Sequence, residues 1–165
     1  MKRQGIQSVR SQALVHRILV PVNFTDASIQ ALKYAAKLAR PLGATITLLH
    51  VVDVNDFKSN RLGFREQLLR EAREFAEHKL QNFVKLFVGN GIPAETVVGV
   101  GEPVEQILYE IREMNPDMVI MTTRYRKNTR WFWERDTTVG VLKYAPCPVS
   151  VMHDSGPDLT DLLFY

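Results

Sequence analysis

Cysteine is nearly absent from this chain. Cys147 is the single one among 165 residues, so no disulfide can form within the molecule, and that usage fits a reducing compartment. Long apolar runs are missing too: none reaches the roughly 20 residues that cross a bilayer. Acidic side chains are missing from the start. The first is Asp26, preceded by Lys2, Arg3, Arg10 and Arg17. That leader holds Ser8 and Ser11 but no apolar centre, so it is not a secretory signal. An organelle presequence and a disordered arm over residues 1–16 both fit, and the arm is the expectation adopted. The four histidines, His16, His50, His78 and His153, show no metal-ligand spacing. No Gly-x-Ser-x-Gly elbow and no paired carboxylates stand out, so hydrolytic chemistry has no visible agent.

What is present suffices for a core. Apolar residues form 45% of the chain and charged residues 24%, the balance of one globular domain. The net charge of +3 is too mild to imply nucleic acid by itself. Apolar runs at 18–22, 46–52, 94–100, 118–121 and 149–152 read as strands, the first and fourth buried on both faces. Between the first two, Ile29, Leu32, Ala35, Ala36 and Ala39 recur at helical spacing. Thr25 or Asp26 caps that helix, and Pro41 and Gly43 end it. Leu68, Leu69, Ala72, Phe75, Ala76, Leu80, Phe83 and Phe87 form one stripe of a long helix over 64–88, stopped by Gly89-Asn90-Gly91. Residues 53–60 read as a loop before it. A third helix opens at Pro103, carries Val104, Ile107, Leu108 and Ile111, and ends near Asn115-Pro116. A short fourth helix covers 138–144.

Strands alternating with helices imply right-handed crossovers and a parallel sheet covered on both faces, a doubly wound α/β domain. Such sheets take ligands beyond the carboxyl ends of their strands, where strand order reverses. The turn after the first strand, 23–26, is then one wall of a site. If the fourth strand lies beside the first, residues 122–137 are the other wall. That loop contains no glycine.

The ordered set of motifs resembles the universal stress protein family, A-type. Ile18-Leu19-Val20-Pro21-Val22, Ala31-Leu32, Ala35-Ala36, Leu42-Gly43-Ala44 and Leu48-Leu49-His50-Val51-Val52 are similar to its first half. Gly101-Glu102-Pro103 and Pro116-Asp117-Met118-Val119-Ile120-Met121 are similar to its middle. Val141-Leu142-Lys143-Tyr144-Ala145-Pro146-Cys147-Pro148-Val149 is similar to its end. The resemblance covers 17–153, leaving 154–165 as a tail. It implies a five-stranded parallel sheet in order 3-2-1-4-5 and a cytoplasmic, stress-linked homodimer. The last strand, Pro148, Val149, Ser150, Val151 and Met152, is implied at the dimer contact.

Many members of that family bind ATP through a loop written G-x2-G-x9-G-(S/T). Here Thr122, Tyr125 and Arg135 stand at the three glycines and Asp136 at the Ser/Thr. Asn23 stands at the acidic position after the first strand. Glycine permits positive φ and close approach of backbone to phosphate, and Tyr125 and Arg135 remove that room. Asp136, at a helix start, supplies its own anion to the N–H groups that a phosphate would use. The site is therefore expected to be degenerate, without ATP or AMP as cofactor. The degenerate site takes in those residues with Val52, Thr123, Arg124 and Thr137, and a mononucleotide pocket lined by Asn23, Val52, Thr122, Thr123 and Arg124 is the competing reading.

Arg124, Arg126, Lys127, Arg130 and Arg135 crowd the same loop, interleaved with Tyr125, Trp131, Phe132 and Trp133. An anion or RNA surface is one reading. A solvated loop whose aromatics cover the sheet end or a partner subunit is the preferred one. Cys147, between two prolines, reads as a structural thiol. Leu159, Leu162, Leu163, Phe164 and Tyr165 are expected to dock on their own domain. The expected function is non-catalytic, through dimerisation and protein contacts. A nucleotide sensor and a cytoplasmic partner of a transporter are the alternatives.

Overall fold

Among the described residues, five strands alternate with four α-helices. The computed structural model describes residues 15–57, 64–123 and 137–153. Strand β1 (Arg17–Pro21) buries its three central residues. Helix α1 (Asp26–Leu42) starts from Thr25, whose extended backbone lets its Oγ1 accept from the Ser28 N–H. It runs one residue past Pro41, whose ring removes one i→i−4 N–H from the last turn. It closes on Gly43 at φ 64°, whose N–H donates to the Ala39 carbonyl.

Strand β2 (Thr45–Asp53) leads into a single 3-10 turn, Val54–Phe57, within the expected loop. Asp53 starts it by accepting from the backbone and side-chain nitrogens of Asn55 at 2.8 and 2.7 Å. Helix α2 (Arg65–Phe83) continues as a π-helical turn, Val84–Val88. The expected single stripe is only partly inward. Ala76, Leu80 and Phe83 are buried, whereas Phe75 is 65% exposed. Phe75 stands one position, about 100° of rotation, to the side of Ala76, and that step takes it off the core face.

Strand β3 (Ala94–Gly101) is followed by α3 (Pro103–Met114). Glu102 caps this helix by accepting from the Glu105 N–H at 2.9 Å, and Pro103 sits where no donor is needed. Asn115, at φ 45°, closes it. Strand β4 (Met118–Thr123), helix α4 (Thr137–Tyr144) and strand β5 (Val149–His153) complete the fold.

The sheet is parallel throughout, in the order β3-β2-β1-β4-β5, as the resemblance implied. Successive residues of the central strands point to opposite layers. Ile18, Val20, Ile46, Leu48 and Ile120 meet α1 and α2 through Leu32, Ala35, Ala36, Ala39, Leu80 and Phe83. Leu19, Leu49, Val119 and Met121 meet α3 and α4 through Ile107, Leu108, Ile111 and Val141. Small residues on α1 let it lie close against the sheet over β1 and β4.

The amino ends of β1 and β4 are tied by Asp117. Its Oδ2 accepts from the backbone N–H of His16 and Arg17 at 2.7 and 2.8 Å, and Arg17 Nη1 donates to the Met114 carbonyl. Val15 packs against the first core layer. Residues 15 and 16, assigned to the arm in the sequence, therefore contact the domain. The two edges of the sheet differ. On β3, Glu95 and Thr96 are exposed, whereas on β5 residues 149–152 are all half-buried. Among the described residues, no helix is long and apolar enough to cross a membrane.

Candidate functional site

β1 lies between β2 and β4, and the helices that follow β1 and β4, α1 and α4, pack on opposite faces of the sheet. The crevice beyond its carboxyl end is therefore the switch point expected to take ligands. Its first wall is the turn from Val22 to Thr25. The Val22 N–H donates to the Leu49 carbonyl at 2.8 Å, prolonging the β1–β2 ladder. Asn23 is exposed, and its Oδ1 accepts from Thr25 Oγ1 at 2.6 Å and from the Thr25 N–H at 3.3 Å. Phe24, between them, has φ 61°, a left-handed conformation uncommon outside glycine.

A stack of side chains holds Phe24 in that conformation. Its ring lies 4.2 Å from the His50 ring and meets Phe83 edge-on at 5.3 Å. The Lys79 ammonium stands 4.5 Å from the Phe24 centroid. His50 Nδ1 is 2.8 Å from the Val22 carbonyl oxygen. A carbonyl can only accept, so Nδ1 carries the proton. Burial holds this imidazole below the usual histidine range. The bond to Val22 opposes that lowering, and the charge of Lys79 adds to it. No local pattern signals this stack of side chains, since its members are up to 59 residues apart in the chain (Phe24 to Phe83).

On the β2 side, Val52 is buried. On the β4 side, Thr122 and Thr123 are half-buried and pair with Met152 and His153 of β5. Thr138, buried in the first turn of α4, donates from Oγ1 to the Thr122 carbonyl at 3.1 Å. This ties the start of α4, where Thr137 stands half-buried, to the end of β4. Thr138 was not among the expected site residues. Arg124, Tyr125, Arg126, Lys127, Arg130, Trp131, Phe132, Trp133, Arg135 and Asp136 lie outside the described residues, as does the tail from 154 on.

The other sequence candidates sit elsewhere. Pro148 is exposed and Val149, Ser150, Val151 and Met152 form the β5 edge. Cys147 is half-buried, and burial pushes its thiol up, away from the reactive thiolate. Among the described residues, no three His, Cys, Asp or Glu side chains converge as metal ligands.

The fold defines a small doubly wound domain with a switch point between β1 and β4. The universal stress protein family model matches residues 15–153, and the chain belongs to that family. The universal stress protein MJ0577 of Methanocaldococcus jannaschii is 26% identical over 151 residues, covering 82% of this chain and 93% of its own. The solved structure of MJ0577 superimposes with a TM-score of 0.71 at 24% identity, over 87% of this chain and 99% of that one. An Archaeoglobus fulgidus universal stress protein in complex with dAMP aligns at TM-score 0.56 and 20% identity, over 84% of this chain and 98% of that one. A universal stress protein in complex with cAMP aligns at 0.58 and 16%, over 86% and 98%. The last two share the fold.

Proposed function

We propose that this chain is a non-catalytic universal stress protein of the cytoplasm, that it acts through protein contacts as a homodimer joined along β5, and that its crevice does not hold ATP. The observation that carries the last point is the turn after β1. Asn23 brings no charge there, and its carbonyl oxygen is already engaged by Thr25. The glycine-free sequence from Thr122 to Thr137 supports the same reading. Positive φ and close backbone approach to phosphate are costly for Tyr125 and Arg135. The dimer reading rests on β5, whose outer edge is unpaired among the described strands.

A nucleotide sensor is the second reading, favoured by the dAMP and cAMP complexes of two structural relatives. Amide NMR of the full chain titrated with ATP, AMP and cAMP, combined with native mass spectrometry, separates the two. The first reading expects a mass of two chains, no retained nucleotide and no saturable shift of the Asn23, Val52 or Thr122 amides at millimolar ligand. Saturable shifts at those crevice amides with any of the three nucleotides would replace it with the second.

A further inference from the structure

From the middle of α1 to its end away from the crevice, Lys33, Lys37 and Arg40 follow one another at spacings of four and three residues, which stacks them along one helix face. All three are exposed. Among the described residues no carboxylate forms an ion pair with any of them, and Arg73–Glu77 is the one salt bridge. Beside them Ala36, Phe87 and Val88 line a basin of about 210 Å³ that the three cations complete. The Lys33 ammonium lies 5.6 Å from the centroid of the Phe87 ring. A Cβ on Gly89, at φ 81°, would stand 3.5 Å from Arg40 Nη2, so the guanidinium lies across this turn.

Two features separate this basin from an ordinary solvated helix face. The first is the π-helical turn Val84–Val88, which contributes two lining residues, Phe87 and Val88. Such widened turns are rare and concentrate at functional sites. The second is the position of the charges. A cation in the last turn of α1 complements the helix dipole, and this accounts for Arg40. It does not account for Lys33, about two turns earlier, held over an aromatic ring.

We propose that this basin is an anion site for a compact oligophosphate, its oxygens bound by Lys33, Lys37 and Arg40 and any adjoining apolar portion resting on Phe87. It is distinct from the crevice. From Asp26 the helix advances about 10 Å to Lys33 and about 20 Å to Arg40, so the basin runs from the middle of α1 to the end away from the crevice. The same phosphate chemistry is offered by free oligophosphate and by the phosphate tail of a nucleotide.

Amide NMR of the full chain, titrated separately with sodium tripolyphosphate, ATP and adenosine, tests the site. Tripolyphosphate and ATP are expected to shift the amides of residues 33–40 and 84–89 saturably and with strong salt dependence, and adenosine to leave them unmoved. ATP without tripolyphosphate would assign the site to the nucleotide form, and both together to the phosphates alone. Lys37→Gln with Arg40→Gln is expected to weaken binding at least tenfold while the rest of the spectrum reports an intact fold. Unsaturable shifts, or saturation unaffected by that pair of substitutions, would overturn the site. So would saturable binding of a single-stranded oligonucleotide there with none of tripolyphosphate or ATP. ATP-induced shifts at Asn23 and Thr122 would instead count against the reading of the crevice and leave this one standing.

Discussion

The imidazole of His50 is bonded to the Val22 carbonyl and lies against Phe24, and burial keeps it neutral where a free histidine begins to charge. The unfolded chain takes up this proton near pH 6.5, the folded chain only at lower pH. Below about pH 6.5 the unfolded state therefore binds more protons, and the stability due to this residue, complete above that pH, declines as the solution is acidified. Urea midpoints measured from pH 7 to pH 5 are expected to fall, and His50→Phe to flatten that slope. An equal slope in the variant would assign the loss to other groups. In the sequence His50 was one of four unspaced histidines, packed near a strand end. Its partner lies 28 residues away, just past the end of the neighbouring strand β1, and only the register of β1 against β2 brings the two together.

Among the elements, α4 has a glycine in its middle, at a position where alanine would ordinarily favour a helix by about 1 kcal/mol. Here a Cβ on Gly140 would stand 2.8 Å from both methyl carbons of Val104 on α3. A β-branched side chain has little freedom to turn aside, and overpacking typically costs about 1–3 kcal/mol. Gly140→Ala is therefore expected to destabilise the domain by about 1 kcal/mol net in denaturant unfolding. In the Val104→Ala background it is expected to be neutral or stabilising. Most elements were legible from apolar spacing, because strands of period two and helices of period 3.6 leave different marks. The unbroken stripe expected on α2 was not. Spacing marks which residues share a face but not how wide a face the sheet covers, so Phe75 was counted inward. The widened turn at Val84–Val88 leaves no mark of its own, since Phe83 and Phe87 keep a spacing of four through it.

For the whole molecule, the parallel sheet follows from the alternation of elements, while its order came from the resemblance. The absence of glycine from residues 122–137 was visible in the sequence. The fit of those residues around a ligand depends on the path of 124–136, outside the described residues. Assembly belongs to this scale as well. Ser150 is the second residue of β5, at the proposed junction of two chains. Ser150→Lys places like charges near one another across a two-fold axis. Sedimentation or light scattering at micromolar concentration is expected to show the wild type as two chains and the variant shifted toward one. A wild-type monomer would remove β5 from the account. The unlike edges of the sheet bear on what such a contact can build. Exposed Glu95 on β3 discourages pairing at that side, so the proposed contact leaves each chain one pairing edge, not two. Two copies meeting through β5 use up the same strand on each, and nothing is left for a third to join: growth stops at a closed pair where a sheet with two open edges could lengthen into a fibre.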